Sequence, residues 1–167
     1  MFHKFFSVDF DLLYTSYMQF INFSTFDYEV RTIAGKHYIF DIIRKKYVRL
    51  TPEEWTRQHL IHYLTKELLY PKGLISVERQ IQGHYLVNRP DLVIYDKSGN
   101  PFLIAECKAP HIPISDKVYS QLARYNRNLK AKLLVISNGQ EYSCWRLDYG
   151  QLSPEILNTI PVFDSLV

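Results

Sequence analysis

The sequence predicts an α/β domain: a central mixed β-sheet flanked by α-helices, with a β-hairpin at its N-terminal end. Three observations predict it. Helical and extended signals follow one another in the order helix, strand, strand, strand, helix, strand, strand. The runs 92–95, 102–105 and 132–137 are nearly continuous in apolar residues, as in strands covered on both faces. Two segments between strands open with helix-start residues and supply the covering layers.

The elements are justified in chain order. Residues 1–26 are rich in aromatics (Phe2, Phe5, Phe6, Phe10, Tyr14, Tyr17) without a clean period, and are read as an N-terminal extension. Met18 is a second plausible start, which would make residues 1–17 an upstream extension. Residues 28–33 and 37–40 flank Ala34-Gly35-Lys36, a compact turn, and predict the peripheral hairpin. Arg44, Lys45, Lys46 and Arg49 surround Tyr47; the mixture suits a phosphate backbone, but is read first as a solvated loop or strand face. Thr51-Pro52-Glu53-Glu54 starts a helix, with Thr51 as N-cap, Pro52 at the first position and Glu54 closing a capping box. That helix is expected to run to Tyr70, before Pro71-Lys72-Gly73, with Leu60, Ile61, Leu64 and Leu68 as one buried stripe. His59 and His62 within it are read as packing or hydrogen-bonding residues, since no third metal ligand lies near.

Residues 74–82 alternate as a first strand, and Gly83-His84 turns the chain toward 85–87. The central hairpin then pairs 92–95 with 102–105 about the turn Asp96-Lys97-Ser98-Gly99-Asn100. Ala109-Pro110-His111-Ile112-Pro113 cannot be helical, and Ser115 or Asp116 caps a second helix running to about Lys130. Arg124, Arg127, Lys130 and Lys132 give that region a basic flank. Residues 132–137 and 141–147 form the last strand pair about Asn138-Gly139. The domain is therefore bounded at 27–150, and residues 151–167 form a tail without an assignment.

Composition narrows the functional classes. The 167 residues are 47% apolar and 22% charged, the balance of an ordinary globular domain. A net charge of +3 provides no global basic field, so any nucleic-acid surface must be local. Cys107 and Cys144 have neither disulfide-framework nor zinc spacing and are read as reduced core residues. No apolar run reaches transmembrane length, and Asp9 and Asp11 interrupt the N-terminal aromatics, so no signal peptide is expected and the cytoplasm is the expected location.

The chemistry concentrates at the ends of the central hairpin. A buried strand that finishes Glu106-Cys107-Lys108 puts Glu106 and Lys108 on one face and Cys107 on the other. A hairpin turning near Ser98-Gly99 brings Asp91 across from Glu106. Two carboxylates and an ammonium group then meet at one sheet edge. Such oxygens suit Mg²⁺, which takes one or two carboxylates together with water and phosphate. A bound divalent ion activates its water and offsets charge on a phosphodiester, while Lys108 steers the attacking water or stabilises the transition state. By spacing alone, a solvent-facing Glu106–Lys108 ion pair is an equal reading.

Pro90-Asp91 with Glu106-Cys107-Lys108 resembles the motif of the PD-(D/E)xK nucleases. The chain is most similar to the N-terminal nuclease domain of type I restriction enzyme R subunits, where a Q-x-x-x-Y motif follows on the next helix; Gln121-Leu122-Ala123-Arg124-Tyr125 supplies it here. The resemblance spans roughly residues 36 to 150. It implies a restriction-endonuclease-like core and a metal-dependent DNA endonuclease, with Asp91 and Glu106 binding Mg²⁺ or Mn²⁺. Lys108 would orient the nucleophile, and Gln121 and Tyr125 would lie beside the metal site. The fold's first helix often lends a further acid, here Glu53, Glu54 or Glu67; Glu78 on the first strand is another candidate, read first as an exposed edge residue.

R subunits join this domain to an ATP-driven motor, whereas this sequence has no G-x-x-x-x-G-K-[ST] loop. The expectation is a free-standing domain that works with a separate motor or specificity subunit, or cuts as a homodimer. The alternative is a non-catalytic DNA-binding or accessory subunit of a restriction or repair complex. Nothing in the sequence separates DNA from RNA as the substrate.

Overall fold

A computed structural model describes residues 21–78, 89–151 and 153–163. The strand and turn expected at 79–87, beyond its first residues, and the aromatic segment 1–20 with Met18 lie outside the described residues.

Two sheets enclose one helix. The smaller sheet has the order β1 (Val30–Ile33), β2 (Lys36–Asp41), β3 (Lys46–Arg49), all antiparallel. The expected hairpin is therefore present, and the basic segment after it folds back as a third strand. Ala34 and Gly35 make the first turn with φ of 49° and 70°. Positive φ at both central residues matches the twist of the strands but strains a residue with a Cβ. Ala34→Asn is expected to raise stability by about 0.5–1 kcal/mol, read as a higher urea midpoint at unchanged slope.

The larger sheet has six strands: β4 (Ile75–Val77), β5 (Leu92–Tyr95), β6 (Pro101–Cys107), β7 (Leu133–Ser137), β8 (Tyr142–Arg146) and β9 (Glu155–Leu157), adjacent in that order. β6 and β7 are parallel and the other neighbours antiparallel, giving the mixed sheet that the sequence predicts. β9 lies in the segment for which sequence gives no assignment; its three residues extend the sheet through Trp145↔Ile156.

Helix α1 (Pro52–Lys66) covers one face and helix α2 (Asp116–Leu129) the other. Alternation sorts the strand residues. Leu92, Ile94, Leu103, Ala105 and Cys107 pack toward Leu60, Ile61 and Leu64 of α1. Val93, Ile104, Leu134 and Ile136 pack toward Val118, Leu122 and Leu129 of α2. Both cysteines are free and buried in the α1-side core.

α1 departs from the single-stripe expectation. Its residues from Glu54 to His62 are all buried. The reason is the small sheet, whose Ile39 packs with Leu50, just past β3, on Trp55 behind the helix. α1 also stops at Lys66, before the expected Tyr70. Leu69 turns left-handed with φ 61°, and the Tyr70 N–H returns to the Leu64 carbonyl at 2.9 Å.

His59 and His62 pack as the sequence suggests, with Phe26 stacked on His62 at 3.7 Å and edge-on to His59 at 4.7 Å. Burial lowers both pKa values to about 4; the charge of His62 adds to the effect on His59, and that of Lys66 to the effect on His62. The unfolded chain therefore binds more protons between pH 4 and 6.5. Stability is expected to fall as pH drops through that window, by about 1.4 kcal/mol per unit for each ring. Urea titrations at several pH values measure the slope, and His59→Phe should remove one ring's share.

Candidate active site

The acids converge at one end of β5 and β6. Leu92 pairs with Ala105 across the two strands, so one step further sets Asp91 beside Glu106. The Cys107 N–H donates to Asp91 Oδ2 at 2.6 Å, locking the carboxylate against the end of β6. On β6, Glu106 is buried, and its Oε1 accepts from Lys108 Nζ at 2.7 Å and from Gln121 Nε2 at 2.9 Å. The Gln121 amide also donates to the Tyr125 hydroxyl at 2.7 Å. One turn of α2 thereby carries both Gln121 and Tyr125 to the strand end, as their four-residue spacing requires. Glu106 Oε2 is buried and has no hydrogen-bond partner.

Electrostatics single out Glu106. Burial, followed by the charge of Asp91, pushes its pKa up to about 7. Lys108 behaves oppositely: burial works against its charge, but the hydrogen bond and charge of Glu106 outweigh this and hold its pKa above the ordinary value. Lys108 is therefore an ammonium donor at neutral pH and not a free base.

A second layer, unseen in the sequence, surrounds these residues. Arg57 of α1, only 3% exposed, reaches Asp91 Oδ1 at 2.7 Å and Glu53 Oε1 at 3.1 Å, and also bonds Glu54. Arg44, in the β2–β3 connection, binds Asp41 Oδ2 at 2.6 Å and Glu78 Oε2 at 3.1 Å, and joins the same Glu54. Gln58 donates to both Asp41 and Glu54 at 2.8 Å. Arg44 is thus committed to carboxylates, which corrects its reading as part of a solvated or phosphate-facing basic face. The capping box is corrected as well. Thr51 accepts from the Glu54 N–H at 3.1 Å, but the Glu54 side chain turns inward to the two arginines and Gln58.

Of the four upstream acids, Glu53 is the one coupled to the site. Burial and then the charge of Asp91 raise its pKa, and its charge is felt by Glu106 and Lys108. Glu54 and Glu78 are held by Arg44 and Arg57, so Glu78 is more than an exposed edge residue. Glu67 caps the far end of α1, about 20 Å along the axis from Glu53, and takes no part.

These residues suit a divalent cation. Among the described residues, the carboxylates of Asp41, Glu53, Glu54, Glu78, Asp91 and Glu106 pair with the cations of Arg44, Arg57 and Lys108 alone, an excess of negative charge. The unpartnered Glu106 oxygen is a hard donor, the type that Mg²⁺ and Mn²⁺ take. Among the described residues no three His, Cys, Asp or Glu side chains form a ready cage. Two carboxylates are sufficient for Mg²⁺, which keeps several waters.

Residues 52–161 match the family model described as Type I restriction enzyme R protein N terminus (HSDR_N). The chain belongs to that family. Among curated proteins none matches it. The match begins at the first residue of α1 and continues past β9, so the R-subunit N-terminal domain comprises the whole six-stranded sheet and both helices. Its restriction-endonuclease-like fold bears out the expected architecture. The three-stranded sheet precedes the matched region, yet Asp41 and Arg44 tie it to the domain's acids. No helix among the described residues is long and apolar enough to cross a membrane.

Proposed function

We propose that this chain is a metal-dependent DNA endonuclease whose phosphodiester hydrolysis is carried by Asp91, Glu106, Lys108, Gln121 and Tyr125. The observation that carries the reading is the buried, unpartnered Glu106 oxygen set beside Asp91 in a cluster where, among the described residues, carboxylates outnumber cations. Asp91 and Glu106 would hold Mg²⁺ or Mn²⁺, which supplies an activated water and a counter-charge for the phosphodiester. The Cys107 N–H and Arg57 fix the two oxygens of Asp91, so that carboxylate is oriented in advance. Gln121 sets the rotamer of Glu106 and is itself seated by Tyr125. Lys108, kept protonated, donates a hydrogen bond to the attacking water and stabilises charge that develops on the phosphate oxygens.

DNA as the substrate and a separate motor or specificity subunit as partner are inferred from the family; two copies acting together would cut both strands of a duplex. The test is nicking of supercoiled plasmid by the full chain in Mg²⁺, with EDTA and Glu106→Gln as controls. Wild type should nick only with metal, and Glu106→Gln should lose at least about 10²–10³-fold in rate. Equal cleavage by the variant rejects the assignment. Absence of cleavage by wild type favours a non-catalytic DNA-binding or accessory role.

A further inference from the structure

The two arginines that bond the acids, Arg44 and Arg57, are not available to a substrate, since carboxylates consume them. A phosphate backbone nearing a net-negative site needs positive charge from elsewhere, and α2 carries it. Lys117, Gln121, Arg124 and Asn128 recur at i, i+4, i+7 and i+11, which aligns them along one side of the helix. Lys117, Arg124 and Asn128 are exposed, while Gln121, between them, hydrogen-bonds Glu106. The adjoining line of Val118, Leu122, Tyr125 and Leu129 is buried against the sheet, which fixes the rotation of α2 about its axis. Neither Lys117 nor Arg124 pairs with a carboxylate among the described residues. The acid of α2, Asp116, lies about 100° round the helix from Lys117.

We infer that this line is the DNA track of the site: Lys117 and Arg124 hold backbone phosphates on either side of the one presented to Glu106, and Asn128 extends the contact. The inference rests on the nuclease reading above and specifies how its substrate is held. From Lys117 to Asn128 the line runs about 16 Å at 1.5 Å per residue, enough to engage several phosphates of one strand. Such contacts set register and orientation without reading sequence. The basic flank that the sequence suggests is thereby divided. Lys130 leaves the helix in a left-handed cap with its ammonium 5.2 Å from the Tyr149 ring centroid. Lys132 bonds through its N–H to Phe102, at the opposite end of β6 from Glu106.

The experiment measures binding of a fluorescein-labelled DNA duplex to the full chain in EDTA, by anisotropy between about 50 and 200 mM salt, and Mg²⁺-dependent nicking alongside. Lys117→Ser/Arg124→Ser should weaken binding roughly tenfold or more and reduce the slope of log K against log salt by about 1.8, two phosphate contacts at 0.9 each. Its nicking defect should fall on KM more than on kcat. The control, Lys97→Ser/Lys132→Ser, removes equal charge at the far end of the sheet and should match wild type in affinity and slope. Equal losses in the two double variants, or a wild-type slope in the first, overturn the track. If wild type nicks in a Glu106-dependent way while the first variant binds normally, the track fails and the nuclease reading stands. If wild type binds but never nicks and the first variant alone loses binding, the nuclease reading fails and the track stands.

Discussion

Arg57→Met is expected to cost about 3–5 kcal/mol of folding stability, because it strips the partner from buried carboxylates. Among the described residues Arg57 is the one group that links Glu53, Glu54 and Asp91, and its Nη1 also lies 3.4 Å from Glu78. Burial disfavours its charge, yet Asp91 and the other acids hold its pKa above the ordinary value. Methionine fills a similar volume, so the loss reports electrostatics and not a cavity. Arg57→Lys should recover only part, since an ammonium cannot bridge several carboxylates with a planar fork. Urea unfolding at neutral pH checks both variants. A cost below about 1 kcal/mol for Arg57→Met would mean that water already solvates these acids and that the clamp is incidental.

Glu106→Gln is expected to act in the opposite direction on stability while removing cleavage. The folded-state pKa of Glu106, about 7, lies above the 4.5 of an unperturbed glutamate. Below pH 4.5 both states are protonated and the group costs nothing; between pH 4.5 and 7 the unfolded chain ionises while the folded carboxyl stays protonated, so stability falls across that window and is level above it. At pH 8 in EDTA the amide variant should therefore be more stable than wild type by about 1–3 kcal/mol, and the gap should vanish near pH 4.5. Added Mg²⁺ should narrow the gap at pH 8 by binding wild type alone. A variant that is destabilised at pH 8 would show that Glu106 is held for packing and not poised for a cation. Stability sacrificed at one carboxylate is the usual mark of a functional group.

Much of this was legible in the chain. Strand runs, both helix starts and the Asp91/Glu106 register follow from local pattern, because pairing across a tight turn converts sequence spacing directly into distance. Gln121 and Tyr125 were legible through the Q-x-x-x-Y resemblance, and their four-residue spacing sets them one helical turn apart. The clamp was not. Glu53, Glu54 and Arg57 stand at i, i+1 and i+4, which on an ordinary surface helix denotes solvated ion pairs. Glu54 and Arg57 are instead buried, where Asp91 reaches Arg57 from β5's end and the small sheet's Asp41 reaches Gln58, links between segments that no local window joins. One signal was present: Trp55, His59 and His62 lie off the Leu60, Ile61, Leu64 stripe, and a helix apolar on two sides is enclosed on two sides.

The uninterrupted passage from Asp91 through β5, β6 and α2 to Tyr125 carries all five proposed reactive groups. Partners so near in the chain close small loops, which forfeit little chain entropy. The reactive corner is in this sense a self-contained cassette. Its geometry is set by neighbours along the backbone, whereas Arg57 reaches it from α1, 34 positions before Asp91, as a long-range brace.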